Sequence, residues 1–334
     1  MVHFRFDAVS LPLLLALLAG PAIGDAPADE GYSTLYAAPA VEPADQPADR
    51  GETGPPRPFV DLDEEPDTYV AEPLYTDDYI RNDWGCQFLP QGRVYGAYLA
   101  GPKESRLSTH LINIPDDSTM WDSTLGARVG LFRIGTIDPF RPTGLQLDIE
   151  GSAQLRMDLP DDKDVIGTDY RVGFPLTWGD DRRQWKFAFY HLSSHLGDEF
   201  LIKHMGFPRF FQVRDALVLG RSVYLTDALR LYAEVGWACN SVASDPWELQ
   251  FGVDYAPRAP TGVRGAPFFA INGYLREELD FGGGLTIQTG WAWRSEATAH
   301  LMRIGLHYYN GASTQYAFLP FHEQQIGAGA WYDF

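Results

Sequence analysis

A histidine and a serine lie two residues apart in the segment 190–195, which reads Tyr-His-Leu-Ser-Ser-His. On a β-strand, the side chains of His191 and Ser193 would lie on one face, about 6.6 Å apart along the strand. A serine hydroxyl becomes an effective nucleophile when a neighbouring base removes its proton, and imidazole is the usual base. The spacing therefore predicts serine-esterase chemistry, provided that this segment is a strand.

The residues before this pair indicate a strand with one apolar face. Trp185, Phe187 and Phe189 alternate with other residues, and the same parity continues as His191 and Ser193. If the aromatic face contacts lipid, the histidine and the serine also face lipid. Polar side chains in that environment are costly and tend to be functional.

Asp215 is the predicted third member of the site. If the strand folds back symmetrically on the next one, His191 faces Ala216. Ser193 then faces Arg214, and Asp215 lies between these two positions. Its carboxylate could accept the second imidazole proton and orient the ring.

Other acids and histidines were considered as site residues. Asp198 and Glu199 follow the strand directly, so they are rivals for the same role and candidate calcium ligands. His204, His300 and His322 show no spacing typical of metal ligands. Calcium is therefore the single cofactor that these residues suggest.

Composition excludes several classes of protein. The chain has 334 residues, a net charge of −19 and only two cysteines, Cys86 and Cys239. The negative charge argues against a nucleic-acid partner. Two cysteines cannot form a disulfide scaffold or a four-cysteine zinc site.

The first 80 residues divide into two segments that precede the folded domain. Residues 1–24 contain an apolar run followed by small residues and predict a secretory signal peptide. Residues 25–80 are rich in Pro and Ala and contain fifteen acidic residues against Arg50 and Arg57. This composition predicts a disordered acidic tether. Residues 81–334 would then form one domain.

That domain alternates apolar and polar residues over long segments. The pattern is typical of strands, and segments of about 9–14 residues suit a tilted membrane crossing. A soluble β-sandwich would also alternate, but its polar faces are usually richer in Lys, Thr and Ser. The sequence predicts an all-β, transmembrane antiparallel β-barrel of twelve strands. The predicted strands are 93–101, 124–134, 144–157, 167–178, 183–195, 212–225, 228–240, 246–256, 267–278, 282–294, 299–310 and 324–334.

The last strand and the even strand number predict the orientation. A terminal aromatic, Phe334, on an alternating strand resembles the signal that bacterial barrel-assembly machinery binds. With twelve strands both ends lie in the periplasm, and so would the tether. Segments 102–123 and 196–211 would be long outer loops. The connections 179–182, 226–228 and 295–298 would be short periplasmic turns, whereas the turn 257–266 is unexpectedly long.

The two cysteines are predicted to be free thiols. Cys86 would precede the first strand on the periplasmic side, and Cys239 would end an outward-running strand. The ends of a membrane strand are roughly 25 Å apart, which exceeds the reach of a disulfide. The exception would be a segment 81–92 that threads the lumen.

Residues from about 85 to the end resemble a bacterial envelope family known only as a domain of unknown function. The resemblance implies an outer-membrane barrel and no established activity. It is carried by Phe88-Leu89-Pro90-Gln91-Gly92, Ala100-Gly101-Pro102-Lys103-Glu104-Ser105-Arg106, 190–200 and Gly265-Ala266-Pro267-Phe268-Phe269-Ala270.

The His-x-Ser strand also resembles outer-membrane phospholipase A and the outer-membrane lipid A deacylases. Those barrels use such a pair on the lipid-facing side, so the resemblance implies that His191 is the base and Ser193 the nucleophile. Their pattern continues with Asn and a small residue, whereas this chain has Ser194 and His195. This departure leaves the third catalytic residue open.

Two functions remain open from the sequence. One is an acyl hydrolase of outer-leaflet lipids. The other is a non-enzymatic barrel, either a narrow channel or an envelope-structural protein, in which the His and Ser mark the end of the hydrocarbon region. His307 and Arg303, with Glu248 and Glu234, are predicted to form a neutralised network in the lumen and not a site.

Overall fold

A computed structural model describes residues 84–115, 118–208 and 212–334. The predicted signal peptide and acidic tether lie outside the described residues. The described part contains thirteen strands and one α-helix, α1 (Asp198–Lys203). The strands are β1 Trp84–Phe88, β2 Leu107–Asn113, β3 Thr119–Thr136, β4 Gly144–Asp158, β5 Asp164–Gly179, β6 Arg183–Leu196, β7 Gln212–Tyr224, β8 Leu229–Val242, β9 Trp247–Tyr255, β10 Ala266–Arg276, β11 Gly282–Arg294, β12 Leu301–Ala312 and β13 His322–Asp333.

Strands β2 to β13 form a closed antiparallel barrel of twelve strands. Each strand pairs with its sequence neighbour, and β13 closes the barrel on β2 from Ile326 opposite Asn113 to Tyr332 opposite Leu107. Closure pairs the backbone groups of the wall with one another, as a wall surrounded by lipid requires. The predicted all-β fold and strand number are confirmed.

The wall has an apolar outer face and a polar inner face. In β6 the even-numbered residues from Gln184 to Ser194 are buried, whereas Phe187 on the opposite face is exposed. Large exposed apolar side chains continue around the outside, including Leu219, Trp291 and Leu306. Among the described residues, no helix is long and apolar enough to cross a membrane.

The predicted first strand, 93–101, is wrong. These residues form no strand, and Val94, Tyr95 and Tyr98 are almost fully buried inside the barrel. Both parities of the segment are buried, so the segment cannot present one face to lipid. The first wall strand is instead β2, which lies in the segment 102–123 that was predicted to be an outer loop.

Strands β1 and β2 share one position in the wall, beside β3, and the chain between them enters the lumen. Strand β1 pairs with the end of β3, from Trp84 opposite Thr136 to Phe88 opposite Phe132. Strand β2 pairs with the beginning of β3. The residues between them, 89–106, leave the wall, and we call them the luminal segment. The lumen is therefore entered by residues 89–106, not by 81–92.

Arginine side chains bind the backbone carbonyl groups of the luminal segment. Three of these arginines belong to the wall and the fourth, Arg106, belongs to the segment itself. Because the carbonyl acceptors are satisfied, the segment can be buried without a strand partner. The contacts are Arg133 Nη2 to Gln91 O and Gly92 O at 2.8 Å, Arg230 Nη1 to Gly96 O at 2.9 Å, Arg106 Nη1 to Leu99 O at 2.7 Å and Arg303 Nη2 to Leu99 O at 3.2 Å.

Ion pairs and hydrogen bonds fill the remaining lumen. Arg303 and Glu234 belong to this network, as predicted from the sequence. Removing one partner of such a pair is strongly destabilising, because the other charge is then buried alone. The pairs include Lys103–Asp169, Arg128–Asp148, Lys186–Glu234, Arg214–Glu248 and Arg230–Asp254.

The two ends of the barrel differ in their connections. At the end that contains Phe334, which we call the turn end, β5 connects to β6 through 180–182 and β7 to β8 through 225–228. The opposite, loop end carries residues 197–208, which include α1 and belong to the segment 196–211 that was predicted to be a long loop. The long turn after β9 contains a 3₁₀-helix, Gly262–Arg264, whose carbonyl groups accept hydrogen bonds from Trp291 and Trp293.

Candidate active site

His191 and Ser193 lie on the outer face of β6, near the loop end of the barrel. Their neighbours Tyr190, Leu192 and Ser194 are buried on the inner face. The imidazole of His191 is 41% exposed, so a molecule outside the barrel could reach it. This placement agrees with the alternation in the sequence.

Asp215 lies directly opposite His191 on β7. Its Oδ1 is 2.6 Å from His191 Nδ1, and the carboxylate is 23% exposed. Sequence symmetry placed Ala216 opposite His191, so the predicted register was wrong by one residue. In the observed register the two residues form a direct cross-strand pair, so the aspartate lies closer to the imidazole than in the predicted register.

A β-bulge in β8 adds an amide to this pair. Asp215 pairs with Asn240 and Ala216 pairs with Ala238, so Cys239 is the extra residue. The bulge shifts the alternation and places Asn240 on the outer face, where its Nδ2 donates to Asp215 Oδ2 at 2.9 Å. Bulges often re-aim side chains beside active sites. Asn240 is not among the residues predicted from the sequence; the break in alternation at 239–240 was the available signal.

Ser193 is the least constrained member of the group. Its cross-strand neighbours are Tyr170 on β5 and Val213 on β7. Within the described residues, its hydroxyl makes no hydrogen bond to the imidazole of His191. Catalytic hydrogen bonds in free enzymes are often long and form in the substrate complex. Tyr170 also contacts His195, with ring centroids 5.8 Å apart.

The acids considered as rivals do not join this group. Asp198 and Glu199 occupy the first turn of α1 and are exposed. Within the described residues, no three His, Cys, Asp or Glu side chains are grouped as metal ligands. The described residues therefore offer no preformed calcium site at these positions.

Helix α1 is attached to the neighbouring outer loop by a lysine. Lys203 Nζ is 2.7 Å from Asp161 Oδ2 and 2.6 Å from Asp164 Oδ2. These two hydrogen bonds raise the pKa of Lys203 above its usual value. The attachment connects the loop after β6 to the loop before β5 and to the first residue of β5, beside the strand pair that carries His191 and Asp215.

Both cysteines are free and exposed. Cys86 lies on β1 near the turn end, and Cys239 forms the bulge near the loop end. The prediction of two free thiols agrees with the structure. Cys239 also donates its thiol hydrogen to Asp215 O, at an Sγ–O distance of 3.3 Å.

Comparison with solved structures shows several barrels of low sequence identity. The outer-membrane phospholipase of Salmonella typhi, a dimer with bound calcium, is 12% identical, with a TM-score of 0.48 over 72% of this chain and 94% of that chain. Outer-membrane phospholipase A from Escherichia coli is 11% identical, with a TM-score of 0.48 over 70% and 91%. KdgM porin is 9% identical, with a TM-score of 0.38 over 68% and 98%. These likenesses assign no activity.

Comparison with protein families gives a more specific result. No curated protein is similar enough to this chain to match it. The family described as "Protein of unknown function (DUF1207)" matches residues 67–334. The match covers the whole described barrel and includes the segments on which the sequence resemblance was based. The chain belongs to this family, DUF1207.

Proposed function

We propose that the protein is a bacterial outer-membrane barrel that hydrolyses acyl esters of outer-leaflet lipids. The contact that carries this proposal is the 2.6 Å contact between His191 Nδ1 and Asp215 Oδ1 on the outer face of the wall. A carboxylate in this position fixes the ring orientation and leaves Nε2 available as a base. Ser193, two residues along the same face, supplies the nucleophile.

The first half-reaction transfers the acyl group to the enzyme. His191 Nε2 removes the hydroxyl proton of Ser193 while Oγ attacks the carbonyl carbon of the ester. The tetrahedral intermediate collapses, the ester C–O bond breaks, and the imidazolium gives its proton to the leaving alcohol oxygen. Asp215 stabilises the imidazolium throughout, and Asn240 holds the other carboxylate oxygen.

The second half-reaction releases the fatty acid. His191 removes a proton from water, and the resulting hydroxide attacks the acyl-serine carbonyl. The bond to Ser193 Oγ breaks, and the imidazolium returns the proton to that oxygen. Water is the one co-reactant, and it reaches the site from the loop end.

The outer surface supports a membrane location for this chemistry. Exposed apolar side chains cover the wall, whereas charged pairs fill the inside. In the proposed orientation the loop end faces outward and the turn end faces the periplasm, where residues 25–80 also lie. The site then lies at the level of the outer leaflet, beside its lipid substrates.

The filled lumen supports hydrolysis over a narrow channel. The luminal segment crosses the interior and is bound by arginines from several strands. At the loop end the connection after β12 also folds inward, because Tyr316 and Ala317 are almost fully buried. Both obstructions would have to move before ions could pass.

Labelling with a serine-reactive fluorophosphonate tests the proposal. The detergent-solubilised, full-length protein should be labelled, and Ser193→Ala should abolish the label. Ser194→Ala is the matched control, since this serine is adjacent in sequence but faces the lumen. Persistent labelling in Ser193→Ala, or an unlabelled wild-type protein with discrete conductance in planar bilayers, would contradict the hydrolase.

The barrel-assembly machinery is the proposed partner of the last strand. Phe334 follows β13, which closes the barrel on β2. Deletion of Phe334 should lower the amount of folded protein in the outer membrane without reducing export, because the strand must be recognised before closure. Equal amounts of folded wild type and truncated protein on heat-modifiability gels would contradict this proposal.

A further inference from the structure

Four arginines line one cavity inside the turn end of the barrel. They are Arg93 from the luminal segment, Arg230 from β8, Arg258 from the turn after β9 and Arg294 from β11. Tyr224 contributes an aromatic wall to the same cavity. The four side chains come from distant parts of the sequence, so the fold itself brings these charges together.

The positive charges of this cavity exceed its negative ones. Two acidic side chains line it, Asp254 and Asp333, and Phe334, whose main-chain carboxylate is a third negative group, lines it as well. Asp254 pairs with Arg230 at 2.5 Å. Asp333 pairs with Arg303 at 3.0 Å and with Arg106 at 3.3 Å, and neither of these arginines lines the cavity.

Among the described residues, three of the four arginines therefore have no acidic side chain within 4.0 Å. In the described residues, no ion pair within 4.0 Å involves Arg93, Arg258 or Arg294. This arrangement contrasts with the rest of the lumen, where most buried arginines contact a carboxylate. Arg258 is only 8% exposed, whereas Arg93 and Arg294 are half-buried. Because an unpaired buried charge is costly, this excess of positive charge favours a bound counter-ion.

Backbone carbonyls hold two of these arginines in place while leaving hydrogen-bond donors free. Arg258 Nη1 donates to Asp181 O at 2.6 Å, and its guanidinium lies 4.0 Å from the centre of the Tyr224 ring. Arg294 donates to Pro257 O through Nε at 2.6 Å and to Ala299 O through Nη1. Their Nη2 groups make no hydrogen bond within the described residues.

Arg93 provides a separate observation at the same cavity. Within the described residues, its Nη2 atom is buried and makes no hydrogen bond, and the same holds for the carboxylate oxygens Asp254 Oδ1 and Asp333 Oδ1 that line the cavity. Buried polar atoms are nearly always paired, so the Arg93 nitrogen is a donor available to a ligand that enters beside these carboxylates. A guanidinium group presents a planar fork of donors, and phosphate and carboxylate oxygens match the geometry of that fork best.

A neighbouring histidine responds to the same positive potential. Burial lowers the pKa of His300, and the charges of Arg93 and Arg294 lower it further. A bound anion would relieve this repulsion.

We propose that this cavity binds the oxyanion group, phosphate or carboxylate, of a small solute that enters the barrel from the turn end. Arg93, Arg258 and Arg294 contribute the free donors, and Tyr224 packs beside the ligand. The cavity lies inside the wall, so a solute and not a membrane lipid is the ligand. In the proposed orientation that solute comes from the periplasm.

Titration calorimetry on the full-length, detergent-solubilised protein tests the site. Inorganic phosphate and citrate are titrated separately in buffers of equal ionic strength adjusted with chloride. At least one of them should bind saturably, and Arg294→Gln and Arg258→Gln should each weaken that binding about tenfold, because each removes one charge-assisted hydrogen bond. The stronger ligand of the two identifies the preferred oxyanion.

The matched control is Arg182→Gln, which removes the same charge at the same end of the barrel. Arg182 lies in the turn before β6, is not part of the cavity lining and should leave binding unchanged. Arg294→Lys keeps the charge but lacks the planar fork, so it should bind the anion more weakly than the wild type does. This variant tests the site even if Arg294→Gln does not fold. Two results would overturn the proposal: no saturable binding of either anion up to about 10 mM, or equal weakening by Arg182→Gln.

Discussion

The two faces of strands β6 and β7 use polar residues in different ways. On the inner face, Arg214 is almost fully buried and contacts Tyr190 and Glu248. On the outer face, His191 and Asp215 form a pair that remains partly exposed. The inner group is enclosed by partners that restrict its motion, whereas the outer pair is accessible and contributes little to packing. In the proposed hydrolase the outer pair performs the chemistry, whereas the enclosed Arg214 group serves the structure of the barrel.

The inner group shows how completely a buried charge is satisfied here. Arg214 Nε donates to Tyr190 Oη at 3.0 Å, and its Nη atoms donate to Asp245 O and Pro246 O at 2.7 Å. The contact with Glu248, at 3.4 Å, balances the charge. These contacts of Arg214 connect β7 to β6 and to the turn before β9, so the residue contributes to the shape of the loop end.

The largest expected effect lies on the outer face. His191→Ala should lower hydrolysis of a fluorogenic acyl ester in mixed micelles by at least about 10⁴-fold, because no other group can replace the base. The urea midpoint of unfolding should hardly change, since the imidazole is partly exposed and its strand neighbours remain. A fall of less than tenfold would remove His191 from the mechanism.

A large effect on stability, not on chemistry, is expected on the inner face. Arg214→Ala leaves Glu248 buried without its cation, which should lower the free energy of unfolding by about 3–5 kcal/mol. Arg221→Ala on the outer face of the same strand is the control. It removes one exposed stacking contact with Trp185, at 4.5 Å, and should cost about 0.5–1 kcal/mol. Equal losses in the two variants would contradict the division between faces.

The sequence allowed prediction of the wall wherever alternation was regular. The pattern from Leu145 to Met157 and that from Trp247 to Tyr255 both correspond to observed strands. Period-two burial follows from the geometry of a strand between lipid and lumen, so a local pattern was sufficient. The same logic placed His191 and Ser193 on the outer face.

Two other features could not be predicted from local patterns. The luminal segment is stabilised by Arg133, Arg230 and Arg303, which lie 40 to 200 residues later in the chain and give no local signal. The register between β6 and β7 depends on the conformation of the loop that contains α1. A symmetric fold-back therefore missed the true pairing of His191 with Asp215 by one residue.

The smallest expected effect concerns Asn240, which belongs to the outer face only because of the bulge at Cys239. Asn240→Ala removes its hydrogen bond to Asp215 and should lower hydrolysis about tenfold, corresponding to about 1.4 kcal/mol. Its effect on the urea midpoint should be small, because the side chain is exposed. Cys239→Ala keeps the extra residue and the bulge, so it should retain nearly full activity. If Cys239→Ala impaired hydrolysis as much as Asn240→Ala, the amide would have no specific role, and the bulge would matter only for local packing.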